Sequence, residues 1–312
     1  MSLRILDPGA LTLIQDFGRP GWAASGVTES GAADRHSLQL ANHFVGNAPG
    51  KPALETALGG LHVRAEADHT VALAGAPAPV TAVSGTERRT EAGPVVQLAE
   101  GDELILGTPE WGMRTYLAVA GGLVVATTMG SASTDTLSGL GPEPVVAGDV
   151  LRVGGSGALD PMPTLDPVPT LGPVATLGPV ATLDPGAEGW HGQPYMLDVL
   201  PGPRMDWFAP EAVASLLGTA FEVTGTGDRV GVRLAGAPLV RLRGDELLSE
   251  PVVRGAVQVP ADGNPLIFGP DHPVTGGYPV IGVLTEAAAD ASGQLRPGQQ
   301  IRFRPRGPWP GA

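Results

Sequence analysis

Glycine or proline stands at one position in four of this chain, with 46 glycines and 32 prolines among 312 residues. Proline lacks an N–H and fixes φ, and glycine weakens the interior of any regular element, so long helices cannot be sustained at that density. Short strands closed by turns are the arrangement that tolerates it. Hydrophobic residues still make up 42% of the chain and charged ones only 16%. The chain is therefore globular rather than disordered, and long enough for two domains with a core in each.

Apolar, β-prone runs recur at residues 3–6, 11–14, 61–63, 70–74, 95–98, 103–106 and 115–119, most of them separated by Gly or Pro. One helix interrupts them: Asp34 precedes Leu38, Ala41 and Val45 at helical spacing, and Gly46-Asn47 follows as a stop. The same style resumes at residues 196–200, 221–223, 230–234, 256–259, 266–268, 280–284 and 301–303, with a second helix predicted around 210–217 behind Pro210. Between these stretches lies a tract with prolines at Pro161, Pro167, Pro173, Pro179 and Pro185, a period of six. A parallel β-helix shares that period, but a proline in every turn removes a ladder donor, and so few turns make a weak solenoid. The tract reads instead as a polyproline-like spacer. The expected layout is an N-terminal half over 1–154, a Pro-rich linker over 155–190 and a C-terminal half over 191–312, the two halves being β-barrel-like with a little helix each.

Composition closes off several chemistries. The chain has no cysteine, which excludes disulfide scaffolds, thiol nucleophiles and thiolate metal sites. Its one lysine, Lys51, sits in Gly-Lys-Pro, so neither a Walker-type phosphate loop nor a Schiff base is expected. A net charge of −13 disfavours nucleic acid. The N-terminal residues show no basic stretch followed by an apolar core, and no apolar run approaches the roughly 18–20 residues of a membrane helix. A cytoplasmic protein away from membranes is the expectation.

His36 and His43 are seven apart on the first helix but have no carboxylate at metal-ligand spacing, so no metal site is expected. The segment Gly225-Thr-Gly227-Asp-Arg-Val-Gly231 has its last glycine one position too late for a dinucleotide loop and reads as a turn. Three clusters mix small residues with polar ones: residues 8–21 with 27–34, residues 249–263, and residues 271–279. Their glycines let backbone N–H groups approach a ligand, and neighbouring arginines can fork a carboxylate or phosphate. Tight barrel turns would carry the same composition.

These clusters, with Leu40-Ala-Asn42-His-Phe-Val-Gly46-Asn47, Ala53-Leu-Glu55, Arg114-Thr-Tyr-Leu-Ala-Val-Ala-Gly-Gly122, Leu200-Pro-Gly-Pro203, Gly255-Ala-Val-Gln258-Val-Pro260, Thr275-Gly-Gly-Tyr-Pro279 and Leu295-Arg-Pro-Gly298, make the chain resemble the KipA family. That family is also described as the C subunit of 5-oxoprolinase, as allophanate hydrolase subunit 2 or as biotin-dependent carboxyltransferase. The resemblance spans nearly the whole chain apart from the proline tract. It implies a mainly β protein of two cyclophilin-like β-barrel domains with one or two short helices each.

The resemblance also implies one component of an ATP-dependent 5-oxoprolinase, incomplete without a KipI-like protein (the B component) and a LamB/YcsF-like protein (the A component). ATP would be consumed by the complex, at a site that no residue here marks. The alternative is a carboxyltransferase acting on urea or a similar small amide, with biotin carried by a partner. A second alternative is a non-catalytic regulator that binds a KipI-like kinase inhibitor. Each enzyme reading needs a planar amide or urea carbonyl polarised as charge develops on it. Gly276 and Gly277, helped by Tyr278 and Gln258, suit that task. Arg229 or Arg254 could hold a substrate carboxylate, and Asp16 or Glu250 could orient or deprotonate. Arg19 and Thr275 join the expected binding set. Relatives commonly read Asp-Arg-Gln-Thr-Thr-Gly-Gly-Tyr-Pro-Lys where this chain has Asp271-His272-Pro273-Val274-Thr275-Gly-Gly-Tyr-Pro279-Val280, so His272, protonated below roughly pH 6.5, is the expected partial replacement for a lost cation. Asp34 and Glu55 are read as capping or strand-pairing residues.

Overall fold

A computed structural model describes residues 1–91, 93–155, 174–175, 182–183 and 194–309. Two compact units divide the chain. The first comprises Met1–Arg19, Ser30–Asp135 and Gly139–Asp184; the second comprises Pro20–Glu29, Thr136–Ser138 and Pro185–Ala312.

The N-terminal unit distributes its strands over two sheets. β1 (Ser2–Pro8), β4 (Leu61–Ala65), β6 (Val80–Ser84), β7 (Glu87–Thr90), β9 (Glu103–Leu106) and β11 (Val150–Arg152) form one, in the order β11-β1-β4-β9-β6-β7. β2 (Leu11–Gln15), β3 (Ala53–Ala57), β5 (His69–Gly75), β8 (Val95–Leu98) and β10 (Arg114–Val119) form the other, in the order β2-β3-β10-β5-β8. Along β4 the two-residue period is visible in burial: Leu61, Val63 and Ala65 point into the core, while His62 and Arg64 lie on the outer face. Leu3, Ile5 and Leu104 of the first sheet meet Ile14, Leu54, Leu73 and Leu117 of the second in a single cluster. Each fully buried leucine contributes about 1.5–3 kcal/mol.

Every residue of β10 is buried, because the second sheet is covered on its other face by α1 (Arg35–Phe44). Leu38 and Ala41 pack there on Ala72, Ala74, Tyr116 and Ala118, small residues apart from the tyrosine, which lets the helix lie close to the strands. Asp34 caps α1, its carboxylate accepting from the Ser37 N–H at 2.9 Å. Glu55 on β3 accepts from the Ala33 N–H at 2.9 Å and from the Tyr116 hydroxyl at 2.7 Å. Burial first, then the Glu55 charge, push the Tyr116 phenol well above its ordinary value. Asp34 and Glu55 thus hold structure together.

The expected spacer lies outside the described residues except for β12 (Val174–Ala175) and β13 (Thr182–Leu183), which pair antiparallel with Val174 opposite Leu183.

In the C-terminal unit, β14 (Tyr195–Pro201), β15 (Phe221–Val223), β16 (Gly231–Ala235), β18 (Ala256–Gln258), β19 (Leu266–Phe268), β21 (Val280–Leu284) and β22 (Gln300–Pro305) close into a barrel, in the order β14-β21-β18-β19-β16-β15-β22. Closure leaves no free edge. Leu197, Val199, Phe221, Val257, Ile267, Ile281, Ile301 and Phe303 fill its interior, with Leu216 from α2 (Pro210–Gly218) and Ala289 from α3 (Glu286–Ser292) in the same cluster. Pro210 opens α2, where its missing N–H costs nothing. Helix α3 was not expected: Glu286-Ala-Ala-Ala-Asp-Ala-Ser292 has no long apolar residue to set a period, and the Thr285 cap, accepting from the Ala288 N–H, is its start signal. Beside the barrel, the two-residue strands β17 (Glu250–Pro251) and β20 (Thr275–Gly276) pair outside the main ladder.

Candidate active site

Gln258 ends barrel strand β18 with its side chain buried. Its Nε2 donates to the Tyr278 carbonyl at 2.9 Å. A Cβ built on Gly276 would lie 2.5 Å from the same Nε2. Glycine at 276 is therefore what lets the glutamine reach across and fix the loop; φ at this residue is not in the left-handed region, so close approach and not backbone freedom is the requirement.

The loop is held a second time through β17 and β20, which place Glu250 opposite Gly276 and Pro251 opposite Thr275. The Glu250 carboxylate is forked by Arg204: Nε donates to Oε2 at 2.9 Å, and Nη2 donates to Oε1. These hydrogen bonds hold the Glu250 carboxyl below the ordinary glutamate range. Arg204 is itself tied to the loop's far end, its N–H donating to the Val280 carbonyl at 3.1 Å. A closed path thus runs from Arg204 to Glu250, across to Gly276 and along the chain through Tyr278 and Pro279 to Val280. Tyr278 stands 46% exposed on that path, and the Arg241 guanidinium lies 5.9 Å from the centre of its aromatic ring. Thr275 and Gly277 are exposed beside it.

Six of the expected residues are therefore brought together: Glu250, Gln258, Thr275, Gly276, Gly277 and Tyr278. Three others in the same unit are engaged elsewhere. The Arg229 guanidinium, 3% exposed, donates from Nε to Asp271 Oδ2 at 2.8 Å and from Nη2 to Oδ1 at 3.1 Å. Asp271 Oδ2 also accepts from the Thr136 N–H at 2.9 Å and the Thr136 hydroxyl at 2.7 Å. Arg254 reaches Asp290 of α3 at 2.6 Å. His272 is 7% exposed, with Nδ1 2.7 Å from the Pro273 carbonyl. Burial pushes its imidazole below the ordinary histidine value, so it stands neutral at neutral pH, and the expectation that it replaces a lost cation is revised.

Asp16 and Arg19 belong to the N-terminal unit. Asp16 Oδ1 accepts from the Gly18 N–H at 2.7 Å and from the Ser131 hydroxyl at 2.6 Å, with the Ser133 hydroxyl alongside; Oδ2 accepts from the Ala132 N–H at 2.7 Å. A carboxylate bonded on both oxygens by four donors in the interior is a loop anchor. Arg19, 1% exposed, donates through Nη2 to the Ser133 carbonyl and lies 3.9 Å from Asp135. Among the described residues, no group of three or more His, Asp and Glu side chains converges at metal-binding distance.

Sequence reading passed over Arg204 and Arg241, and took Asp271 only as the first residue of a cluster, without a role. Arg204 follows directly on Leu200-Pro-Gly-Pro203, and a cation after such a turn is the signal that could have found it. Arg241 has none, since its stacking on Tyr278 is purely tertiary.

The site combines exposed backbone at a Gly-Gly-Tyr turn, a phenol and a forked arginine–carboxylate pair. Backbone donors, a phenol and a guanidinium are groups that can meet a carbonyl oxygen or a carboxylate. Residues 25–305 match the model of the carboxyltransferase domain, subdomain A and B. The chain is 35% identical over 301 residues to the C subunit of 5-oxoprolinase from Escherichia coli, covering 96% of this chain and 90% of that protein. It is 32% identical to the urea amidolyase of Lachancea kluyveri, covering 97% of this chain but 17% of that one. The chain belongs to the carboxyltransferase-domain family, alongside the C subunits of 5-oxoprolinases. Among solved structures, TTHA0988 superposes with a TM-score of 0.77 at 35% identity, and this chain covers 55% of it. Kluyveromyces lactis urea amidolyase superposes with a TM-score of 0.80 at 28% identity, and this chain covers 18% of it. This chain thus spans about half of the first structure and under a fifth of the second. Among the described residues no helix is long and apolar enough to cross a membrane.

Proposed function

We propose that this chain is the C subunit of an ATP-dependent 5-oxoprolinase, opening the cyclic amide of 5-oxo-L-proline to L-glutamate, and that it works with KipI-like and LamB/YcsF-like partners. The observation that carries the reading is the closed path of contacts through Tyr278, in a chain that covers 90% of the 35% identical E. coli protein. In this reading the lactam carbonyl sits over the Gly277–Tyr278 backbone, where N–H donors and the Tyr278 hydroxyl meet charge as it develops on oxygen. Gln258 positions that backbone by bonding the Tyr278 carbonyl and does not itself meet the substrate. Arg204 keeps Glu250 ionised beside the loop. ATP belongs to the complex, and the residues of this chain do not mark where it binds.

A coupled assay for ADP release with 5-oxo-L-proline tests the proposal, run with this chain alone and with both partner proteins. Turnover only when all three are present supports it. The urea amidolyase relatives favour a second reading, carboxyl transfer to a urea-like amide from biotin on a partner. Urea-dependent decarboxylation of carboxybiotin without any response to 5-oxo-L-proline would select that reading.

A further inference from the structure

Arg204, Arg229 and Arg254 of the C-terminal unit each hold a carboxylate, and their states differ. Arg229 is buried, with both prongs on Asp271. Arg254 is nearly buried and bonded to Asp290 across its contact with α3. Arg204 alone of the three opens to solvent, with a side chain 37% exposed, and its partner Glu250 is itself 28% exposed. Both lie on the closed path of contacts that includes Tyr278. A guanidinium presents two parallel N–H donors at the spacing of a carboxylate's two oxygens, so any free carboxylate can replace a carboxylate already bound there without changing the charge of the pair.

We propose that Arg204 is the receptor for the substrate's carboxylate, and that Glu250 occupies it in the resting state as an internal stand-in. This rests on the reading that Gly276–Tyr278 is the reacting site, and it adds a specificity-determining residue to it. On binding, the incoming carboxylate takes Nε and Nη2 of Arg204 and Glu250 turns out towards water, which it reaches without crossing buried surface. No bond to carbon is made or broken in the exchange. Arg204 selects for amides that carry a carboxylate beside the ring nitrogen over the same ring without one. Glu250 sets a threshold, because every carboxylate ligand must displace it, while the backbone pairing of β17 with β20 and the Gln258 bond to the Tyr278 carbonyl still hold the loop.

The test compares 5-oxo-L-proline with 2-pyrrolidinone, the same lactam without its carboxylate, by calorimetric or NMR titration of the full chain, with turnover in the assembled enzyme as a parallel readout. The wild-type chain should prefer the carboxylated ring, and Arg204→Gln should weaken 5-oxo-L-proline by about tenfold or more beyond any change in 2-pyrrolidinone, because one forked charge-assisted contact is lost. Glu250→Gln should act in the opposite direction, tightening 5-oxo-L-proline severalfold by freeing Arg204. A loss of folding cannot produce opposite signs in the two variants. Retention of the full preference by Arg204→Gln, or weaker 5-oxo-L-proline binding in Glu250→Gln, would overturn the proposal, as would a wild-type chain with no preference. Arg204-dependent binding of the carboxylated ring with no turnover in the complete assembly would keep the receptor and reject the oxoprolinase reading. Turnover that is indifferent to Arg204 would do the reverse.

Discussion

Two carboxylates in glycine-rich loops, Asp16 in the N-terminal unit and Glu250 in the C-terminal unit, look alike in the sequence and are opposites in the structure. Asp16 is 8% exposed and takes hydrogen bonds from two hydroxyls and two backbone N–H groups. Glu250 is forked by a single arginine at a surface open to water. The first is enclosed by four protein donors; the second has one partner and stands open to water. Polar residues become a site where they are held but not exhausted, and an inventory of residue types does not distinguish the two cases.

The sharpest way to break this comparison is to delete the satisfied carboxylate. Asp16→Ala leaves the donors from Ser131, Ser133 and Ala132 facing each other in the interior, and each buried unsatisfied group costs about 1–3 kcal/mol. A loss of about 3 kcal/mol or more is expected in urea-induced unfolding of the full chain, and any remaining folded protein should still bind ligand at the Tyr278 loop. A stable Asp16→Ala with no binding would move the site to the N-terminal unit.

Gly276→Ala should do less to stability and more to function. The new methyl group meets Gln258 Nε2 at 2.5 Å and the Val252 side chain at 3.3 Å, so the glutamine must swing away from the Tyr278 carbonyl. An expected cost of about 1–2 kcal/mol follows from one lost buried hydrogen bond and local crowding. Turnover should fall by at least about tenfold, as expected for a misplaced loop. Normal turnover in Gly276→Ala would show that the Gln258 clamp is structural ornament to the reaction.

The residues that carried over from sequence to site are those whose requirement is local. Gly276, Gly277 and Tyr278 sit in one turn, and a turn advertises itself through its composition. The strands and α1 were readable for the same reason, since period and cap are written within ten residues: Asp34, Leu38 and Ala41 suffice for α1. Arg229 was readable as an arginine beside glycines, but its partner Asp271 lies 42 positions away, and only the fold shows that the pair is closed. Arg204 and Glu250, 46 apart, present the same problem, because only the fold shows that the pair forms and that it stands open to solvent. The strands β3, β6, β7, β11, β17 and β20 escaped because each is short and lacks an apolar run, as Glu87-Arg-Arg-Thr90 and Ala53-Leu-Glu-Thr-Ala57 show.

Acid offers a smaller, cleaner test of the exposed pair. The Arg204 hydrogen bonds lower the folded-state value of Glu250 below that of an ordinary glutamate. Its stabilising contribution is therefore complete above the unfolded value and is lost as pH falls through the folded one. Arg204→Gln should therefore be slightly less stable than the wild type near neutral pH and converge on it in acid, with a flatter acid limb. Raising salt should shrink the difference between the two proteins, since the pair is exposed to screening. An acid limb identical in both would mean that the pair does not form in solution.

Smallest in its effect on the fold, and most decisive for the loop, is Tyr278→Phe. The ring is 46% exposed and keeps its position over Arg241 without the hydroxyl, so no packing is lost. Stability should stay within about 0.5 kcal/mol of the wild type, as for most surface substitutions. If the hydroxyl meets the charge that develops on the lactam oxygen, kcat should fall by about 10²- to 10³-fold with KM little changed, because the contact is made in the transition state and not with the bound substrate. A rise in KM at constant kcat would instead make Tyr278 a wall of the binding site, leaving the carbonyl to the Gly277 backbone alone. Unchanged kinetics would separate the best-exposed aromatic of the loop from the chemistry altogether, and with it the reason for placing the reaction in the C-terminal unit.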